Sequence, residues 1–266
     1  MAEDRTRHRL VVSGVVQGVG FRPFVYALAS KLGLSGSVGN DSSGVTIEVE
    51  GPAALVTEFR QRLPTGAPSL ARIDAVSVEA VPAVGGTGFK IVESRAGAGR
   101  TLVSPDIATC EECLAELQDP ADRRYRHPFI SCTNCGPRFT IVTDLPYDRP
   151  ATTMAPLPLC TACAGEYADP TDRRFHAQTV ACPDCGPTLT LRRPGQPEIT
   201  GLKAMSEARR LLSGGAIVAV KGLGGYHLAC DAADQTAVSV LRKRKDRGDK
   251  PFAIMVADEE TAAAVA

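Results

Sequence analysis

The chain has no tryptophan, and aromatic residues make up only 5% of its 266 positions. It also has no net charge, with 30 Lys and Arg against 30 Asp and Glu. That balance argues against a protein whose main task is coating nucleic acid or an anionic membrane. No run of about 18 uninterrupted apolar residues occurs, so no helical membrane span is predicted. The start, Met1-Ala2-Glu3-Asp4-Arg5, is charged and lacks the apolar core of a signal peptide, so a cytoplasmic location is expected. What remains, 44% apolar and 23% charged residues, is the composition of an ordinary globular protein. The length alone predicts roughly two domains.

Cysteine is the unusual quantity. Eight of the nine fall into Cys-x-x-Cys pairs, Cys110/Cys113, Cys132/Cys135, Cys160/Cys163 and Cys182/Cys185, with 18, 24 and 18 residues between successive pairs. Two such pairs about 15–20 residues apart have the spacing of a four-cysteine zinc site, because a short knuckle aims two thiolates at one tetrahedral ion and a second knuckle completes the sphere. Disulfides would not persist in a reducing cytosol, and redox pairs rarely come as four in register. The stretch is also a tandem repeat offset by 50 residues: Cys110, Cys113, Glu116, Asp119, Pro120, Asp122, Arg123 and Arg124 recur as Cys160, Cys163, Glu166, Asp169, Pro170, Asp172, Arg173 and Arg174. Two equivalent units predict two zinc ions. His127 and His176 do not occupy equivalent places, so all-cysteine ligation is the simpler expectation. Spacing leaves two pairings open: each repeat closes on itself, or the outer pairs join and the inner pairs join. Sites with four protein ligands keep no open position and are structural; here the metal would supply folding energy that so few apolar residues cannot. The repeated Asp-Arg-Arg reads either as a grip on a partner or phosphate, or as a solvated knuckle face.

Residues 1–95 read as a separate unit. His8–Ser13 predicts a strand and Phe24–Leu32 a helix, with Pro23 suited to its first turn. Ser35–Asn40 and Val45–Glu50 predict a hairpin across the turn cluster Asp41-Ser42-Ser43-Gly44. A helix over Pro52–Leu63 and a strand through Ile73, Val76, Val78 and Val81 complete a βαββαβ order, the ferredoxin-like split βαβ motif, and a further strand is predicted over Phe89–Val92. Between the first strand and helix lies Gly14-Val-Val-Gln17-Gly18-Val19-Gly20-Phe21-Arg22-Pro23. A glycine-rich strand-to-helix turn presents backbone N–H groups and the positive end of a helix to an anion, and an arginine at its rim adds a planar, bidentate partner. The loop is neither Gly-x-Gly-x-x-Gly nor a Walker loop, so a nucleotide fingerprint is not supported. On the residues alone it equally reads as a tight turn with a salt-bridging arginine.

This loop resembles the acylphosphatase signature Gly-x-Val-Gln-Gly-Val-x-Phe-Arg at every fixed position. Gly36-Ser-Val-Gly-Asn40 resembles the second active-site segment of that family. The resemblance, over roughly the first 93 residues, implies that Gln17, Gly18, Val19, Gly20 and Phe21 form the phosphate-binding loop, that Arg22 binds the phosphoryl group, and that Asn40 orients the attacking water. An acyl phosphate already carries a good leaving group, so such catalysis is mostly positioning and charge stabilisation.

From about Thr200 the texture changes. A helix is predicted over Lys203–Leu212, a buried-type strand over Ala216–Val220, a helix start at Ala237–Leu241 and a strand over Phe252–Val256. With about 66 residues this makes a poor complete core. Lys221-Gly-Leu-Gly-Gly-Tyr-His-Leu-Ala-Cys-Asp231, Arg244–Pro251 and Phe252–Met255 resemble the start of YrdC-type domains, which make carbamoyl-adenylates from ATP. By that resemblance Lys243, Arg244, Lys245, Arg247 and Lys250 are nucleotide contacts; composition alone reads them equally as a solvated basic helix end. Cys230 is expected to be a small buried residue and not a nucleophile.

The order of the three parts resembles the amino-terminal part of the HypF carbamoyltransferases of [NiFe]-hydrogenase maturation. The fold class expected is α+β: an acylphosphatase-like domain at 1–95, a tandem four-cysteine zinc-finger domain at 105–190 and a truncated α/β YrdC-like domain at 200–266. The resemblance implies cleavage of carbamoyl phosphate at Arg22 and Asn40, reaction of carbamate with ATP at the YrdC-like domain, and transfer to the terminal cysteine of the partner HypE by a further domain. A fragment ending here would hydrolyse carbamoyl phosphate or a generic acyl phosphate without completing the transfer. Neither membrane nor nucleic acid is expected as a partner. Two other classes are weighed. A zinc-dependent protein- or nucleic-acid-binding module with a vestigial phosphatase fold is disfavoured by the complete loop and neutral charge. A tRNA threonylcarbamoyl-adenylate synthase has no use for the first two parts.

Overall fold

The alternation along the first strand decides where the core lies. In β1 (Arg5–Val15) Leu10 and Val12 are buried on one face, while Arg7 and Arg9 stand on the other and meet Glu48. The computed structural model describes residues 5–95 and 102–265; the charged start Met1–Asp4, positions 96–101 and Ala266 lie outside the described residues. The chain divides into two compact units, Met1–Pro187 and Thr188–Ala266.

In the first unit, β1, α1 (Phe21–Lys31), β2 (Ser35–Asp41), β3 (Gly44–Pro52), α2 (Ala53–Thr65), β4 (Arg72–Val81) and β5 (Phe89–Ile91) follow one another. The sheet order is β4-β1-β3-β2-β5, antiparallel except where β5 runs parallel to β2. This is the expected split βαβ arrangement with one added edge strand. Asp41 closes the β2–β3 turn by accepting from the Ser43 and Gly44 N–H groups at 2.8 and 3.0 Å. Helix α1 buries Phe21, Val25 and Ala29, and α2 buries Val56, Phe59 and Leu63, in one cluster with Leu10, Val12, Val38 and Ile47 of the sheet. Each large apolar side chain fully buried there contributes roughly 1.5–3 kcal/mol relative to leaving it in water. The fold sets the β1–α1 loop, the end of β2 and the chain after β5 side by side: the Val92 N–H donates to the Val38 carbonyl at 2.9 Å and the Arg95 N–H to the Asn40 carbonyl at 3.0 Å.

Two short helices follow in the cysteine repeats, α3 (Glu111–Gln118) and α4 (Thr161–Ala168), each with the first cysteine of its repeat at the N-cap. A 3-10 turn, Arg149–Ala151, lies between them. Two small apolar clusters form around the thiols, with Ile130 in one and Ala177 and Val180 in the other, and Tyr147, Met154, Phe175 and Ala181 are buried besides.

The second unit contains a two-stranded ribbon, β6 (Thr190–Leu191) and β7 (Ile199–Thr200), then α5 (Gly201–Ser213), a hairpin of β8 (Val218–Lys221) and β9 (Tyr226–Ala229), α6 (Gln235–Arg244) and α7 (Glu259–Val265). Asp234 caps α6, accepting from the Thr236 and Ala237 N–H groups. The strand expected over Phe252–Val256 does not form. Ala253, Ile254 and Met255 stay exposed, Met255 at 98%, and an extended segment without a neighbouring ladder has no hydrogen-bonding reason to become a strand. The glycine-rich Lys221–Asp231 stretch instead supplies β9, and Cys230 is half-buried where a buried residue was expected. No described helix is long and apolar enough to cross a membrane.

Candidate active site and thiol clusters

The β1–α1 loop turns tightly because Gly18 and Gly20 adopt φ of 73° and 75°, in the left-handed region that glycine enters without strain. Gly20 is the N-cap of α1 and no side chain caps the helix, so its first N–H groups face the loop. Gln17 is buried and works as a tie: its Nε2 donates to the carbonyls of Asp41 and Gly44, both at 2.7 Å, and its Oε1 accepts from the Tyr147 N–H at 2.9 Å. One amide therefore holds together the loop, the β2–β3 turn and a segment between the two cysteine repeats.

That segment, Leu145–Asp148, roofs the loop. Arg22, only 8% exposed, lies 2.6 Å from an Asp148 carboxylate oxygen and donates to the Tyr147 carbonyl at 3.4 Å. The Asn40 amide donates to the same Tyr147 carbonyl at 3.3 Å. Ser94, reached by the chain after β5, donates to the other oxygen of Asp148. Arg138 hydrogen-bonds the Gly18 carbonyl and ties this roof to the first thiol cluster through the carbonyls of Cys135 at 2.9 Å and Cys132 at 3.3 Å. Arg149 ties it to the second repeat, donating to the Gln178 and Val180 carbonyls, each at 2.9 Å. Enclosed between roof and loop is a cavity of about 30 Å³ lined by Gly18, Arg22, Arg138, Tyr147 and His176 among others, room for about two water molecules. Burial, then the nearby Arg22 guanidinium, push the His176 imidazole down to about 4, so it is neutral near pH 7. Two buried polar atoms here, Asn40 Oδ1 and the Tyr147 hydroxyl, have no hydrogen-bond partner.

Arg22 and Asn40 are thus brought together as expected, whereas Tyr147, Asp148, Arg138, His176 and Ser94 were not foreseen. A signal existed. Arg138, Tyr147 and Asp148 have no counterparts 50 residues later, where Thr188, Pro197 and Glu198 stand. Where the copies diverge, the chain serves the loop and not the repeat.

The eight paired cysteines form two clusters, Cys110/Cys113/Cys132/Cys135 and Cys160/Cys163/Cys182/Cys185, so each repeat closes on itself. Neighbouring sulfurs are 3.7, 3.8 and 3.6 Å apart in the first cluster and 3.7, 3.8 and 3.6 Å in the second. A tetrahedral ion with Zn–S bonds near 2.3 Å requires sulfur separations of ~3.8 Å. Both donor sets fit zinc, and neither includes a histidine.

The Asp-Arg-Arg repeats make contacts inside the chain, with Arg124 and Arg174 buried. Asp122 and Asp172 each accept the N–H of the second arginine two residues on, at 2.6 and 2.7 Å, and the arginines cross to the opposite repeat. Arg124 pairs with Glu166 and donates to the Ala181 carbonyl at 2.8 Å; Arg174 pairs with Glu116 and donates to the Ser131 carbonyl at 3.1 Å. Arg123 reaches the Cys163 sulfur at 2.6 Å, and Arg173 the Cys113 sulfur at 3.2 Å. The cation next to each thiolate thus comes from the other copy. Burial raises the Glu116 and Glu166 carboxyls, but the paired arginines outweigh it and hold both below the usual carboxylate range.

In the second unit Lys243, Arg244, Lys245 and Lys250 are exposed. Arg247 is partly committed, donating to the Pro251 carbonyl at 2.9 Å and lying 5.0 Å from the Phe252 ring centre. Arg242 shares that ring at 4.9 Å and donates to the Gly248 carbonyl at 2.6 Å, which shapes the turn after α6. Burial and the carboxylates of Asp234 and Asp231 push the Cys230 thiol up, away from the thiolate a nucleophile needs.

Comparison with known proteins agrees with each part. The acylphosphatase family model matches residues 8–91, the HypF finger model matches 109–142 and 159–192, and the Sua5–YciO–YrdC model, described as telomere recombination, matches 210–266. The carbamoyltransferase HypF2 of Cupriavidus necator is 56% identical over 260 residues, covering 97% of this chain and 32% of that protein. An acylphosphatase of Caldivirga maquilingensis is 43% identical over 88 residues, which cover 32% of this chain and 92% of that enzyme. A crystal structure of full-length HypF in its phosphate- and nucleotide-bound form superposes with a TM-score of 0.90 at 46% identity, covering 99% of this chain and 34% of the other. The chain spans about a third of the length of the carbamoyltransferases it matches. With an acylphosphatase-type loop, two closed four-thiol repeats and a YrdC-type segment in this order, the chain belongs to the HypF carbamoyltransferase family.

Proposed function

We propose that the first unit hydrolyses carbamoyl phosphate. The observation that carries this reading is the convergence of Arg22 and Asn40 on one oxygen, the Tyr147 carbonyl, beside a small cavity at the start of α1. That carbonyl and the Asp148 carboxylate are the groups these two side chains hold before substrate enters. The N–H groups of Gln17–Phe21 and the Arg22 guanidinium take the phosphoryl oxygens, and Asn40 holds the attacking water, whose O–H can donate to the unpartnered Asn40 Oδ1. Water adds to phosphorus, the bond from phosphorus to the carbamoyl oxygen breaks, and carbamate and dihydrogen phosphate leave. No covalent enzyme intermediate is needed, because carbamate is already a stabilised leaving anion.

Zinc, held by the two four-cysteine sets, contributes structure: it fixes Arg138 and Arg149, and through them the roof. The second unit is the ATP-dependent part of the same route, with Lys243, Arg244, Lys245, Arg247 and Lys250 offered to a triphosphate. It turns carbamate and ATP into carbamoyl-adenylate and pyrophosphate, for delivery to the terminal cysteine of HypE by the complete carbamoyltransferase in the cytoplasm. The functional modules are residues 1–95, 105–190 and 200–266. Free carbamate decomposes in water, which gives a physical reason to keep the steps in one chain. Phosphate release from carbamoyl phosphate by the wild type and by Arg22→Ala tests the first step. A large loss in the variant is expected, and equal rates would overturn it.

A further inference from the structure

We infer that Tyr147 and Asp148 read the nitrogen end of the substrate. The Tyr147 carbonyl and the Asp148 carboxylate accept the two N–H bonds of a carbamoyl group, so this pair makes the site prefer carbamoyl phosphate to acyl phosphates ending in an alkyl group. The inference rests on the proposed hydrolysis at Arg22 and Asn40.

A phosphoryl group arriving at the loop takes donors away from the roof. At rest Asp148 is satisfied by Arg22 at 2.6 Å and by the Ser94 hydroxyl, and the Tyr147 carbonyl by Arg22 and Asn40 at 3.4 and 3.3 Å. A bound phosphoryl group takes the guanidinium, and the attacking water takes the Asn40 amide. Two acceptors then lose their strongest donors: the Tyr147 carbonyl, on the wall of a cavity of about 30 Å³, and the neighbouring Asp148 carboxylate, left with the Ser94 hydroxyl. Acceptors stripped of donors in such a place are costly. A carbamoyl nitrogen brings two N–H donors for these two acceptors; the methyl group of acetyl phosphate brings none. The acyl end cannot turn away, because Arg138 and Arg149 pin the roof on both sides of the segment. A site built to hydrogen-bond a substrate N–H discriminates strongly against the analogue lacking it. Asp148 is 23% exposed at its side chain, so the discrimination is set below that of a fully closed pocket.

The test compares kcat/KM for carbamoyl phosphate and acetyl phosphate in the zinc-loaded 266-residue chain and in Asp148→Ala. The carbamoyl-to-acetyl ratio is expected to fall by about ten- to a hundredfold in the variant. Asp148→Asn, which keeps the shape and one acceptor oxygen, is expected to lie between the two and serves if the alanine variant misfolds. Were Asp148 only a plug competing for Arg22, both substrates would speed up by the same factor and the ratio would stay constant. A purely structural role would slow both equally. Either result overturns this inference while leaving the phosphatase reading intact, whereas wild type inert toward both substrates would overturn both.

Discussion

Arg22, in the loop before α1, holds its guanidinium 2.6 Å from the carboxylate of Asp148, which belongs to the segment between the two cysteine repeats. The arginine proposed to bind the phosphoryl group is therefore paired with a carboxylate from another part of the chain. A planar fork is needed to bind a phosphoryl group with two parallel hydrogen bonds, and lysine cannot supply it. Arg22→Lys is expected to lower kcat/KM for acyl phosphate hydrolysis by about a hundredfold, and Arg22→Ala by about a thousandfold. Initial rates of phosphate release measure both.

Gln17 makes three hydrogen bonds to backbone groups from a buried position. Removing it leaves the Asp41 and Gly44 carbonyls and the Tyr147 N–H without that partner. Gln17→Ala is expected to destabilise the first unit by about 3 kcal/mol or more, at ~1–3 kcal/mol per stranded group. It also frees the roof from the loop. Urea unfolding followed by far-ultraviolet circular dichroism gives the stability. Faster amide exchange at Tyr147 reports the release.

The crossed arginines predict unequal costs for charges of the same kind. Glu166→Gln strands Arg124, which is 1% exposed, and should cost about 3 kcal/mol and speed zinc loss from the second cluster. Glu116→Gln should act in the same way on the first cluster through Arg174. By contrast, Glu58→Gln breaks only the exposed pair with Arg62 within α2 and should change stability by under about 0.5 kcal/mol. A chelator competition time course, with unfolding midpoints, separates the cases.

Metal analysis should find two zinc ions per chain. Chelation is expected to unfold residues 102–187 and leave the sheet of 5–95, whose core contains no thiol. Retention of the Arg124 and Arg174 amide protection after full chelation would contradict a structural role for zinc.

His176 carries a folded-state value near 4 against an ordinary 6.5, so the folded state binds fewer protons than the unfolded state in between. Its contribution to stability is fully present above about pH 6.5 and is lost as the pH falls toward 4. It sits at φ 53°, a conformation that asparagine tolerates. Unfolding free energies at pH 7 and pH 5 should therefore differ less for His176→Asn than for the wild type.

Local patterns carry short-range chemistry, and those were legible. The glycine spacing from Gly14 to Gly20 marked a tight strand-to-helix turn, and the Cys-x-x-Cys knuckles at a 50-residue offset marked two thiol sites. The turn cluster Asp41-Ser42-Ser43-Gly44 announced the hairpin of β2 and β3. Phe252–Val256 shows the limit of such reading. An apolar, β-branched stretch has strand chemistry, but a strand forms only where another edge accepts its hydrogen bonds.

Pairing was beyond the sequence for the same reason: it depends on what lies next to what. Spacing left the cysteine pairs with two ways to share ions, and only the fold closed each repeat on itself. Asp-Arg-Arg looked like a solvated face because its partners, Glu116 and Glu166, lie about a repeat away in the chain and become neighbours only when the two copies pack crosswise. Arg22 and Asn40 were marked by the resemblance of their segments to the acylphosphatase signature. That Tyr147 and Asp148 close over them was decided by tertiary structure alone, through a buried glutamine and two arginines anchored on the thiol clusters. Residue type and local spacing determine which chemistry a segment can offer; long-range burial decides which charges must face each other, because a buried ion without a partner is too costly to keep.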